Sequence, residues 1–125
     1  MNRIVTAISI FILVIALAIC ETVYITGTSK QVLGKIDTAI EHYNNGEIKK
    51  AENYIKSADK IWEDNTQLMN AFLIHDSTDE VSERISIANA TLKYQEERFP
   101  IECANAIDSL KVIIYSMMPQ IDNIL

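Results

Sequence analysis

Residues Ile4–Cys20 read IVTAISIFILVIALAIC, seventeen in a row without a charge. A helix on the surface of a soluble domain buries one stripe and keeps the rest polar, so a run that is apolar on every side belongs in lipid or deep inside a large core. At 1.5 Å per residue the run spans roughly 25 Å. Extending it through Glu21-Thr22-Val23-Tyr24-Ile25 reaches the roughly 30 Å of a bilayer's hydrocarbon core, with Glu21 at headgroup depth. Tyr24 then falls where interfacial aromatic residues gather. The expected organisation is a transmembrane anchor over residues 1–26 and one further domain over 27–125.

Two other readings compete with an uncleaved anchor. Ala16-Leu17-Ala18 matches the small-x-small pattern of a cleavable secretory signal. Against it, the apolar run continues through Ile19 and only Arg3 precedes it. A lipoprotein signal ending at Cys20 needs a small residue before the cysteine, and Ile19 occupies that place. For orientation, Arg3 and the amino terminus are the positive groups ahead of the run. Glu21 comes first on the far side, with Lys30 and Lys35 further off. A positive-inside bias then places the N-terminus in the cytoplasm and the domain outside, in a single pass of the cell membrane.

All seventeen acidic residues follow Cys20, against ten basic ones, so the remainder carries a formal charge of −7. Such a surface disfavours nucleic acid and anionic lipid as partners. The acids are scattered, as on a solvated helix surface. Cys20 and Cys103 lie too far apart in role and sequence to suggest a disulfide framework; Cys103 reads as small packing.

No strand-like alternation persists, and the expected fold is all-α: the anchor, then an antiparallel bundle of about four helices in two stacked hairpins. The first helix of the domain covers about Lys30–Asn44, with Val32, Leu33, Ile36, Ala39, Ile40 and Tyr43 inward. It either runs on from the anchor as one rod or bends at Gly27 or Gly34. Gly46 suits a left-handed cap. A second helix from Glu47 to about Ile74 carries a seam of Ile48, Ala51, Ile55, Ala58, Trp62, Met69 and Phe72, flanked by Tyr54, Ile61 and Leu68. Ser77 and Glu80 fit a capping box for a third helix, Thr78–Glu96, burying Val81, Ile85, Ala88 and Leu92. Pro100 opens a fourth, expected to bury Ile101, Ala104, Ile107, Leu110, Ile114 and Met117 or Met118. Pro119 should kink it, with Ile121, Ile124 and Leu125 docking beyond. A faint repeat aligns Ile48, Ala51, Tyr54, Ile61 and Trp62 with Ile101, Ala104, Ile107, Ile114 and Tyr115.

Groups that could do chemistry are few. His42 is expected to face solvent. His75 with Asp76 and Asp79 is a weak candidate for a divalent cation, one imidazole and two carboxylates being a possible ligand set. The same residues also suit a helix N-terminus, where acids meet the positive end of the dipole. No phosphate-binding glycine loop, HExxH or CxxC occurs. No catalytic residue and no cofactor is expected. Trp62 reads as a core anchor between helices rather than a contact hot spot.

The order of features resembles a known family. An apolar N-terminal helix leads to a helix holding Trp62, then Phe72-Leu73-Ile74-His75 with Asp76 and Asp79. Leu92 and a last amphipathic helix ending Ile121-Asp122-Asn123-Ile124 follow. This is similar to a family of small membrane-anchored proteins of clostridial-type, spore-forming bacteria, known as a domain of unknown function. The resemblance implies a bacterial, membrane-anchored, helical protein with Trp62, His75 and Asp79 as shared features. Phe99-Pro100 departs from the more polar turn the resemblance implies. Together the readings favour a non-enzymatic interaction module beside the bilayer, with Trp62, Phe72 and His75 in packing or contact. Its partner would be another integral membrane protein or a second copy of itself. The alternative is an extracytoplasmic domain that binds or senses a small ligand or metal. An enzyme using His75 with Asp76 or Asp79 is the least favoured reading.

Overall fold

The structure is a computed structural model and describes residues 2–71 and 75–117, with the side chain of His75 outside that set. Among the described residues there are four α-helices: α1 (Asn2–Asn44), α2 (Ile48–Met69), α3 (His75–Tyr94) and α4 (Phe99–Met117), with a single 3-10 turn at Glu96–Arg98 before α4. Each helix of the bundle touches two neighbours. α1 packs on α2 and α4, and α3 packs on α2 and α4, so the four close into a ring with no diagonal contact among the described residues. The chain runs up, down, up and down, and the all-α bundle expected from the sequence is what forms.

α1 is one uninterrupted helix of 43 residues. It does not end at Gly27 or Gly34. Asn2 to Cys20 are exposed on all sides, and the first fully buried side chain is Ile25. Among the described residues α1 is the one helix long and apolar enough to cross a membrane, by virtue of this first half. From Ile25 onward the helix changes character. Ile25, Val32, Ile36 and Ala39 line one face against the bundle, at the 3.6-residue spacing that a single buried stripe requires.

Asn45 and Gly46 turn the chain. Gly46 has φ +79°, a left-handed conformation that a Cβ would strain. Its N–H and that of Glu47 bond back to the carbonyls of Tyr43 and His42. α2 then descends antiparallel to α1, burying Ala51, Ile55, Ala58, Trp62 and Met69. The polar patch Asp64–Gln67 does not interrupt it, because Asn65 is used inside the bundle: its amide donates to the carbonyl of Ile61 and its Oδ1 accepts from the Tyr24 hydroxyl of α1.

Two boundaries differ from expectation. α2 stops at Met69, where Asn70 and Ala71 turn back onto the carbonyls of Thr66 and Leu68. α3 begins at His75, so Ser77 sits inside its first turn and no capping box with Glu80 forms. A tertiary bond fixes this end instead: the buried Thr78 hydroxyl donates to Oδ1 of Asn70. Val81, Ile85, Ala88 and Leu92 are buried as expected. The expected α2 end at Ile74 is thus five residues too far, while the burial of Phe72 and Met118, the kink at Pro119 and the docking of Ile121, Ile124 and Leu125 fall outside the described residues.

α4 is rotated from its expected phase. It buries Phe99, Glu102, Cys103, Ala106, Leu110, Ile113 and Ile114. Ile101 and Ala104 face outward and Ile107 is half-buried. The aligned repeat therefore has no structural counterpart: the buried seam of α4 matches that of α2 through Phe99 with Ala51, Cys103 with Ile55, Ala106 with Ala58 and Leu110 with Trp62. Phe99 decides the rotation. It is fully buried and its ring sits 5.3 Å from that of Tyr43, pinning the top of α4 to the top of α1. Glu102 follows it inward, and the guanidinium of Arg98 meets its carboxylate at 3.0 Å.

Candidate interaction surface

Trp62, as expected, is a core anchor. It is fully buried and its indole N–H donates to the carbonyl of Thr78 at 3.1 Å. Phe72 and the side chain of His75 lie outside the described residues. Asp76 and Asp79 are exposed on α3, and Asp76 occupies its first turn, where a carboxylate meets the positive end of the helix dipole. Among the described residues no group of three His, Cys, Asp or Glu side chains is close enough to hold a metal ion.

His42 is not a free surface residue. Its Nδ1 lies 3.2 Å from Oε1 of Glu47, and its ring stacks on Tyr54 at 5.1 Å with an 18° tilt. Lys35, two turns earlier on α1, places its Nζ 5.4 Å from the centre of the same Tyr54 ring. Glu47 also pairs with Lys50 at 2.8 Å, and bonds from Lys50 and His42 hold its carboxyl below the usual range. The cluster locks the α1–α2 turn. Cys103 is packed in the core, where burial pushes its thiol up to about 12, so it is not a nucleophile at neutral pH.

The surface that stands out is the outer side of α4. Ile101 is 61% exposed, Val112 67% and Tyr115 66%, with Ala104 exposed between them. These positions share one helical face, since they recur at three- and four-residue steps or multiples of them. Asp108, at its centre, is exposed, as is Lys111 at its edge. Beside it lies an open cleft of about 190 Å³ between α3 and α4, lined by Glu80, Arg84, Asn105, Asp108, Ser109 and Val112. The apolar residues of this face are visible in the sequence, but their spacing points Ile101 and Ala104 toward the core.

A family model described as a domain of unknown function (DUF4363) matches residues 19–124. No curated protein matches the chain, and no solved structure does.

Proposed function

We propose a role for this chain as a member of the DUF4363 family, to which it belongs: a non-enzymatic helical interaction module held at a membrane by the first half of α1. Its N-terminus and Arg3 sit on the cytoplasmic side and the bundle outside, in a single pass. The observation that carries the reading is the outward face of α4, where Ile101, Ala104, Val112 and Tyr115 flank a single exposed carboxylate, Asp108, and no other described helix covers them. Large exposed apolar rows on an otherwise charged domain mark contact sites. Two groups that could have done chemistry have structural work instead: His42 clamps a turn and Cys103 fills the core.

The chemistry of the face favours a different protein over a second copy. Two copies anchored in one bilayer and related by a two-fold axis would lay their α4 helices parallel. Asp108 would then meet its own symmetry mate in the middle of the contact, between two chains that each carry −7 beyond Cys20. A helix of another membrane protein with Lys or Arg opposite Asp108 meets no such repulsion. The cleft beside the face, at about 190 Å³, is smaller than the roughly 300 Å³ from which small-molecule pockets begin, which weakens the ligand-binding alternative.

The test is a photoreactive side chain at Val112 in native membranes, with Asn53 on the exposed side of α2 as control. A heterologous adduct at Val112, absent at Asn53 and lost with Asp108→Lys, is the expected result. Monomer alone, or a homodimer, would overturn the assignment.

A further inference from the structure

The anchor-proximal end of the bundle is built differently from its far end. At the far end, charges crowd the helix termini: Glu41, Glu47, Lys49, Lys50 and Glu52 around the α1–α2 turn, and Lys93, Glu96, Glu97, Arg98 and Glu102 around the α3–α4 turn. At the near end they vanish from the descending helices, while Glu21 on α1 and Asp76, Asp79 and Glu80 on α3 remain. No Lys, Arg, Asp or Glu lies between Asp64 and Asp76, or between Lys111 and Asp122. These are the stretches that contain the ends of the two descending helices, α2 and α4.

The near end also reaches down to the apolar half of α1. The Tyr24 hydroxyl bonds to Asn65 near the foot of α2. One turn further down, Leu68 stands 53% exposed and shares an open apolar groove of about 350 Å³ with Leu17, Cys20, Glu21 and Tyr24. With Glu21 at headgroup depth, the hydrocarbon core ends near Cys20. Leu17 is then about 5 Å inside the hydrocarbon boundary and Cys20 lies at it. Leu68, on a different helix of the folded domain, lines the same groove as both.

We propose that the bundle does not stand clear of the membrane but is seated in it: the foot of α2 enters the interface, and the groove between Leu68 and Leu17, Cys20 and Tyr24 is filled by lipid acyl chain. Continuity argues for lipid as the occupant, because Leu17 and Cys20 belong to the same all-round apolar surface that meets the hydrocarbon. Tyr24 and Glu21 mark the headgroup level at its rim, and Asp76 is the first exposed charge of α3. The proposal rests on the reading of α1 as a membrane anchor.

Spin labels on the full-length chain test it, in vesicles of equal parts phosphatidylcholine and phosphatidylglycerol. Cys20→Ser removes the exposed thiol, and Cys103 is buried in the core. Labels go on Phe11→Cys within the span, on Leu68→Cys, and on Asn53→Cys near the far end, all exposed positions whose substitution leaves the core intact. The readout is line broadening by dissolved oxygen against broadening by a water-soluble nickel chelate. At Leu68 the nickel effect should be lost and the oxygen effect retained, as at Phe11, whereas Asn53 should show the reverse. Nickel access at Leu68 with Phe11 still shielded would overturn the seat and leave the anchor standing. Nickel access at both would remove the anchor itself. Shielding of Leu68 from both reagents would mean that protein, not lipid, fills the groove, which also overturns the proposal.

Discussion

Nε1 of Trp62 on α2 and the main-chain carbonyl oxygen of Thr78 on α3 lie 3.1 Å apart, a hydrogen bond that fastens the largest side chain of the core to the second hairpin. Thr78 in turn reaches Asn70 through its hydroxyl, so three residues hold the α2–α3 connection. Trp62→Ala should destabilise the bundle by about 3–5 kcal/mol. Trp62→Phe keeps most of the packing and should cost about 1 kcal/mol for the lost bond, plus a smaller packing defect. Chemical denaturation of the full chain in detergent, followed by far-ultraviolet circular dichroism, measures both. Equal losses for the two variants would show that the bond, not the volume, dominates.

Gly46 closes the first hairpin in a left-handed conformation with φ +79°. Open space surrounds the position of a Cβ, so the penalty of Gly46→Ala is conformational alone. It should be about 1 kcal/mol, and Gly46→Asn should cost less, because Asn tolerates that region. The same denaturation series reads the difference.

Asp59 on α2 has an Oδ1 buried with no hydrogen-bond partner among the described residues, and burial together with the nearby Glu63 raises its carboxyl above the usual value. The folded state therefore holds this proton more tightly than the unfolded chain. Stability should fall as pH rises from the ordinary aspartate value of 3.8 through the higher folded value, then level off. Asp59→Asn should raise the melting temperature at pH 7, and the gain should shrink to nothing below that window. A gain that is the same at every pH would show that the charge is not its source.

Cys103 should be silent to a thiol reagent at pH 8 in the folded chain and react at the rate of a free thiol in denaturant, because burial pushes it up to about 12. Counting labelled thiols by intact mass in detergent, with Cys20→Ser as background, gives the answer. Fast reaction of the native chain would mean that α4 opens readily.

Much of this architecture can be read from residue order because most helices carry one apolar stripe each. Val32, Ile36 and Ala39, then Ala51, Ile55, Ala58 and Trp62, then Val81, Ile85, Ala88 and Leu92 stand opposite polar residues, and the structure buries them all. α4 is apolar on two faces, so spacing alone does not choose between them. Phe99 makes the choice, and its contact with Tyr43 comes from a helix more than fifty residues away in sequence. The start of α3 is hidden for a similar reason. Ser77 and Glu80 have the spacing of a local cap, yet the Asn70–Thr78 bond organises that end across the connection. Nothing near His42 in sequence announces that the turn at Gly46 folds Glu47 and Tyr54 back onto it, so solvation is the natural expectation there. The outward face of α4 escapes a reading by spacing because that reading sends Ile101 and Ala104 to the interior.

α1 passes from its all-exposed half into the bundle without a break, and the part beyond Glu21 is roughly 35 Å long at helical rise. A stiff rod of that length is a lever. Spans commonly tilt by about 20° to suit the thickness of the membrane around them, and such a tilt would swing the Gly46 corner sideways by roughly 12 Å. Local bilayer thickness would thereby set how far the outer turns lean over their neighbours.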